Sequence, residues 1–301
     1  MKKYTDKEIS SGFTYRWNPR DDGGLCLKIT KSSMGTFLFC PAAYNYSYRE
    51  QIRGAVSDAM IKGTKVHDAE ETFWDNFDIK KAADIVESSV NPVVQRKKLI
   101  EYARETYPAT DHEGAEEIIS SMATFYAQEF MESYDNEETD YFKPVGNEII
   151  LDADLEFEGI ELHLQGIIDR VFMSEEGHYI LMELKTGPWK DSKRTYMRKE
   201  MAFYKVLFEQ ATDEQKIKFG LDPEIPIKQW GWYFPASNYM YIEKCLTRST
   251  TGVWSSIRNL ITAYYQDEFE FKWFYKKCIH CNHIEICEAS SKQENDHYDW
   301  F

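Results

Sequence analysis

No run of about eighteen apolar residues occurs in this chain of 301 residues, so no segment is long enough to cross a bilayer as a helix and no membrane partner is expected. There is no G-x-x-x-x-G-K-[ST] motif, which excludes a P-loop motor within the chain. Internal repeats and long low-complexity tracts are missing, which argues against a solenoid. The opening MKKYTDKEISSGF has no apolar signal core, and a cytoplasmic protein is expected. Positive charge is scarce: 36 Lys and Arg face 51 Asp and Glu, a net charge of -15, so non-specific affinity for polyanions should be weak. Cysteines number six, and their spacing suits a metal site in a reducing compartment better than a disulfide framework.

The most informative stretch is 161–187, ELHLQGIIDRVFMSEEGHYILMELKTG, which reads as two strands joined by the turn Ser174-Glu175-Glu176-Gly177. Pairing outward from that turn brings Asp169 and Glu183 close together on neighbouring strands. Alternation along a strand points Glu183 and Lys185 to one face and Leu184 to the other. Charges in an otherwise apolar strand call for a partner or a metal. An ordinary ion pair at a strand end is the plainer alternative for Glu183 and Lys185.

G-I-I-D-R-V at 166–171 followed by E-L-K-T-G at 183–187 resembles the second and third motifs of the PD-(D/E)XK nucleases, in their RecB-like branch. The resemblance implies that Asp169 and Glu183 are metal ligands with the Leu184 carbonyl, and that Lys185 is the catalytic cation. That branch has a glycine four residues ahead of a metal-binding histidine on a helix, matched here by Gly63-Thr64-Lys65-Val66-His67. Taken alone, His67 with Glu70 and Glu71 would suit a solvated helix face. The implied ligand set is His67, Asp169, Glu183 and Leu184 around Mn2+ or Mg2+, with Glu148 resembling the acidic residue that opens the core strand. One departure stands out. Where the family has Q-x-x-x-Y on the following helix, this chain has Glu200-Met201-Ala202-Phe203-Tyr204, so an amide donor is replaced by an acceptor.

Cys278, Cys281 and Cys287 form C-x2-C-x5-C, a soft-metal arrangement short of one ligand. Cys40, in C-P-x-x-Y, completes a pattern that resembles the iron-sulfur subset of the RecB-like nucleases, which includes the AddB nuclease domain and the CRISPR-associated RecB-type exonucleases. There, four such cysteines hold a [4Fe-4S] cluster that staples the chain ends. Thiolates alone do not separate this cluster from zinc, and His280 and His283 offer zinc further donors. Cys245 reads as a small core residue, and Cys26 has no assigned role.

Periodicity predicts helices over 32–50, 55–77, 94–106 and 113–134, the first capped by Ser32 or Ser33. Strands are expected at 145–157, 161–173, 178–185, 228–234 and 239–245, with helices at 192–209 and 252–267. The expected fold is α/β: a restriction-endonuclease-like αβββαβ core with a helical N-terminal insertion and a C-terminal cysteine staple. One nuclease domain would span 1–301: an extension to 31, a helical region 32–143 with Cys40 and His67, a core 144–250, and a cysteine segment 251–301.

Lys190, Lys193, Arg194 and Arg198 follow the proposed active strand and, with Tyr204, are candidate substrate contacts. Trp230, Trp232, Tyr233, Phe234, Tyr239 and Tyr241 suit either the core or base stacking, the core better for most of them. The resemblance implies a metal-dependent DNA exonuclease acting on single strands or ends, alone or beside a separate helicase or recombination protein. The competing readings are a non-catalytic DNA-end-binding or adaptor protein with the same fold, and a zinc-stapled interaction protein.

Overall fold

The computed structural model describes residues 18–19, 25–52, 54, 57–107, 113–279 and 281–287. At its centre is a mixed seven-stranded sheet. Strand β1 (Asn18–Pro19) lies antiparallel on β2 (Leu25–Thr30). β3 (Gly146–Phe157) and β4 (Ile160–Met173) form a long antiparallel pair. β4 is the hub: its first half also pairs parallel with β2, and its last residues pair antiparallel with β5 (Tyr179–Leu184). β5 runs parallel to β6 (Ile227–Phe234), which pairs antiparallel with β7 (Tyr239–Lys244). The β4–β5 turn depends on Gly177 at φ 73°, a left-handed conformation that costs glycine little.

Helices cover both faces. In chain order they are α1 (Lys31–Phe39), α2 (Pro41–Tyr44), α3 (Asp58–Asn76), α4 (Ile79–Glu87), α5 (Pro92–Thr106), α6 (Glu116–Asp135), α7 (Arg194–Gln210), α8 (Asp213–Lys218), α9 (Thr247–Gln266) and α10 (Tyr275–Cys278). The apolar stripes of α3 to α6, among them Phe73, Trp74, Phe77, Met122 and Phe130, share one buried core with Met182, Leu184 and Tyr233 of the sheet. The opposite core joins α1, α7 and α9 to Ile149, Leu151, Leu181 and Trp230. Leu184 and Leu181 thus lie in different cores, as strand alternation requires. The order α1, β3, β4, β5, α7, β6 reproduces the expected αβββαβ succession. Among the described residues no helix is long and apolar enough to cross a membrane.

The sequence reading needs correction at the N-terminal side. The helix expected over 32–50 is broken at Cys40, whose backbone is extended at φ -161° and ψ 119°. Pro41 imposes this, because a proline ring excludes helical geometry at the preceding residue. The first helix is capped by Thr30, not by Ser32 or Ser33; Ser33 supplies the reciprocal bond of a capping box. β2 went unpredicted, since six residues interrupted by Lys28 give little periodic signal. α4 and α8 were also missed, both being short.

Candidate metal centre

Pairing geometry places Glu148 and Glu183 on the two flanks of Asp169 in β4, although the close-set donor atoms are those of His67, Glu148 and Asp169, without Glu183. Arg170 faces Met182, so one further step of the register sets Asp169 opposite Glu183 on β5. On the other flank Asn147 faces Arg170 and Ile149 faces Ile168, which sets Glu148 opposite Asp169. Glu148 breaks the strand conformation with φ 48°, a left-handed backbone that a side chain with a Cβ adopts at a cost. His67 arrives from α3, with Nδ1 3.7 Å from Asp169 Oδ2. Donor atoms of His67, Glu148 and Asp169 lie within 4.8 Å of one another. Gly63, one turn earlier on the same helix face, leaves the approach uncrowded: a Cβ there would meet only Thr186 Oγ1, at 3.8 Å.

The position of α3 is set by a buried ion pair. Arg170 Nη1 bonds Glu70 Oε1, and the Tyr126 hydroxyl donates to the same oxygen. Glu70 and Arg170 are 3% and 2% exposed, so neither charge has water to fall back on. Glu70 sits one turn from His67 and Arg170 adjoins Asp169, so the pair fixes the histidine over the strand. The solvated-face reading of Glu70 is therefore wrong. Arg170, a charge in an apolar strand beside Asp169, was the available signal.

Electrostatically the carboxylates divide. Burial and the neighbouring charge of Glu183 push Asp169 up to about 6, while its Oδ2 accepts from the Leu184 N–H at 2.8 Å. Burial, then Asp169 and Glu71, raise Glu148 to about 7. Glu183 goes the other way: burial opposes its ionisation, but Lys185 and Lys31 outweigh burial and bring it down to about 2. Its Oε1 accepts from Lys31 Nζ at 2.5 Å and Lys185 Nζ at 2.9 Å. Its Oε2 is buried without a hydrogen-bond partner among the described residues. Lys185 Nζ also bonds Glu200 Oε2 at 2.9 Å, so the carboxylate in place of the family's glutamine has a cation of its own.

Lys31 escaped the sequence reading. It opens α1, and nothing in I-T-K-S-S marks it as reaching the centre of the sheet. Burial disfavours its charge, yet Glu183, Asp169 and Glu200 together raise its pKa, and Nζ lies 4.9 Å from the centre of the buried Tyr204 ring. Among the candidate substrate contacts, Arg194 bonds Asp191 and Arg198 forms a two-pronged pair with Glu243. Lys190 and Lys193 remain exposed.

Cys40, Cys278, Cys281 and Cys287 line one small cavity with His283. Backbone N–H groups of Lys272 and Phe274 donate to the sulfurs of Cys40 and Cys278 at 3.4 and 3.5 Å. No three of these sulfurs lie within 4.8 Å of one another. His283 Nε2 is 2.7 Å from Ser47 Oγ, while its Nδ1 is buried without a hydrogen-bond partner among the described residues. His280 lies outside the described residues. Cys245 packs against the sheet core, and burial pushes its thiol up to about 12.

The sequence profile of the PD-(D/E)XK nuclease superfamily matches residues 28–288. A search of curated protein sequences returns no match. Among solved structures, the crystal structure of SSO0001 is similar at 12% identity and a TM-score of 0.40, over 87% of this chain and 86% of that one.

The strained Glu148 yields a prediction. Glu148→Gly relieves a left-handed backbone and a like-charge contact with Asp169, so in EDTA it should stabilise the fold by about 1 kcal/mol. Manganese should stabilise the variant less than it does the wild type. Urea denaturation with and without manganese measures both; destabilisation in EDTA would show that Glu148 serves the fold alone.

Proposed function

Because the chain belongs to the PD-(D/E)XK nuclease superfamily, we propose that it is a divalent-metal-dependent DNA exonuclease that acts on single strands or ends and carries a structural iron-sulfur cluster. The observation that carries the reading is the donor set around Asp169. An imidazole nitrogen and carboxylate oxygens suit manganese or magnesium, and the orphaned Glu183 Oε2 is an acceptor that such an ion would satisfy. His67, Glu148, Asp169 and Glu183 would hold the ion, with the Leu184 carbonyl as a further ligand. Once bound, a divalent ion supplies an acidified water as nucleophile and neutralises phosphate charge.

The remaining work falls to the chain's own residues. The Leu184 N–H fixes the Asp169 carboxylate. Lys185, steadied between Glu183 and Glu200, presents a half-buried ammonium where negative charge grows on the phosphoryl oxygens, an electrostatic contribution made before the reaction starts. Lys31 adds a second fixed ammonium on the same carboxylate.

For the cysteines, the resemblance of the Cys40, Cys278, Cys281 and Cys287 pattern to the iron-sulfur RecB-like nucleases favours a cluster over a single ion. A cluster spreads its ligands over several irons, and N–H bonds to sulfur, like those on Cys40 and Cys278, are among the features that tune it.

Two experiments test these readings. On end-labelled DNA with manganese, Glu183→Ala should abolish both cleavage and the normal metal affinity. Lys185→Ala should slow cleavage by on the order of a hundredfold with manganese affinity retained by calorimetry. Wild type inactive with both metals on single- and double-stranded DNA would favour a non-catalytic DNA-end-binding protein. Separately, protein purified without oxygen should contain iron and sulfide, lost with stability in Cys40→Ala or Cys281→Ala and kept in Cys245→Ala, since metal-site free energy is folding free energy. Stoichiometric zinc in the wild type would overturn the cluster.

A further inference from the structure

Of the six aromatic residues near the end of the sheet, the structure removes four from consideration as ligand contacts: Trp230, Trp232, Tyr233 and Phe234 are at most 1% exposed. Tyr239 and Tyr241 are half-buried, and a third ring joins them that strand patterning did not suggest. Trp189, four residues after Lys185, lies 5.1 Å from Tyr239 and 5.9 Å from Tyr241 between ring centres, tilted by 40° and 30°. Tyr239 and Tyr241 lie within 15° of parallel with ring centres 6.5 Å apart, and the buried Trp232 lies parallel to Tyr241 at 6.0 Å. The Trp189 backbone N–H donates to Ser237 Oγ at 3.0 Å, which ties its loop to the β6–β7 turn. The result is an aromatic shelf, half open to solvent, on a tethered loop.

Cations accompany it. The Arg194 guanidinium lies 4.7 Å from the Tyr241 ring centre and 5.6 Å from that of Trp189, with Asp191 holding its Nη2. Lys193 Nζ sits beside Gly187, 3.7 Å from where a Gly187 Cβ would be, on the loop that joins Lys185 to Trp189. Lys193 thus lies at the loop between the Lys185 strand end and Trp189, and Arg194 lies on the rings.

We propose that the Trp189, Tyr239 and Tyr241 shelf stacks an unpaired nucleobase beside the reacting phosphate, with Lys193 on the adjoining phosphate. This deepens the nuclease reading and rests on it. A cation beside ring faces matches the phosphate and base that neighbour each other in a single strand, and a ring accepts any base because every base has a π-face. A duplex keeps its bases stacked on one another, so the shelf selects single strands or frayed ends. It also answers the net charge of -15, because stacking supplies affinity that global electrostatics withholds.

The test is binding of fluorescein-labelled oligothymidylate and of a fully abasic phosphodiester of equal length and charge, by anisotropy in calcium buffer. Wild type should prefer the oligothymidylate by at least about fivefold. Trp189→Leu, which keeps apolar bulk without a ring face, should bind the two alike, and Trp189→Phe should regain the preference. Circular dichroism melts of the variants separate loss of the ring from loss of the fold. Wild type that binds both strands equally, or Trp189→Leu that folds and keeps the preference, overturns the shelf and leaves the nuclease reading standing. Wild type that binds neither strand overturns both.

Discussion

The Glu70–Arg170 ion pair is the constraint on which the centre depends. A helix and a strand from distant parts of the sequence must meet with His67 over Asp169, and apolar packing alone would leave their axial register loose. A buried charge pair does not tolerate sliding, because breaking it strands a charge away from water at a cost of about 3–5 kcal/mol. Here it sits one helical turn from the histidine and one residue from the aspartate, with Tyr126 donating to the same glutamate oxygen. The pair transmits the register of the helical layer to the donor atoms.

The second organising feature is the division of charge around Glu183. Asp169 and Glu148 are raised toward neutrality, whereas Glu183 is kept ionised by Lys31 and Lys185. One oxygen of Glu183 thus holds the two cations in place, which leaves its Oε2 with Asp169 and Glu148 for positive charge at the centre. Glu200 belongs to this balance. With two lysines converging on Glu183, a carboxylate at that position shares the load of Lys185, and the departure from the family's glutamine need not put an unpaired negative charge against phosphate.

Much of this was legible in the sequence because it depends on short-range pattern. The β4–β5 turn fixes the register that joins Asp169 to Glu183, and alternation places Leu184 in the opposite core. The hidden parts are non-local. Lys31 reaches Glu183 across 152 positions, and Glu70 finds Arg170 only after the helical layer has docked. Glu148 looked like one acidic residue opening a strand; its left-handed backbone interrupts the pairing with β4 beside Asp169 and His67 and has no sequence mark. The helix break at Cys40 could have been read from Pro41, but the alanine- and tyrosine-rich continuation of the segment masked it.

The central claim is that a divalent ion occupies the space between His67, Glu148, Asp169 and Glu183. Anomalous diffraction from crystals soaked in manganese tests it most directly. The account predicts one strong manganese peak within bonding distance of a His67 ring nitrogen and of the Asp169 carboxylate, with Lys31 and Lys185 still on Glu183. A well-ordered centre with no peak there, while manganese binds elsewhere on the protein, would contradict it.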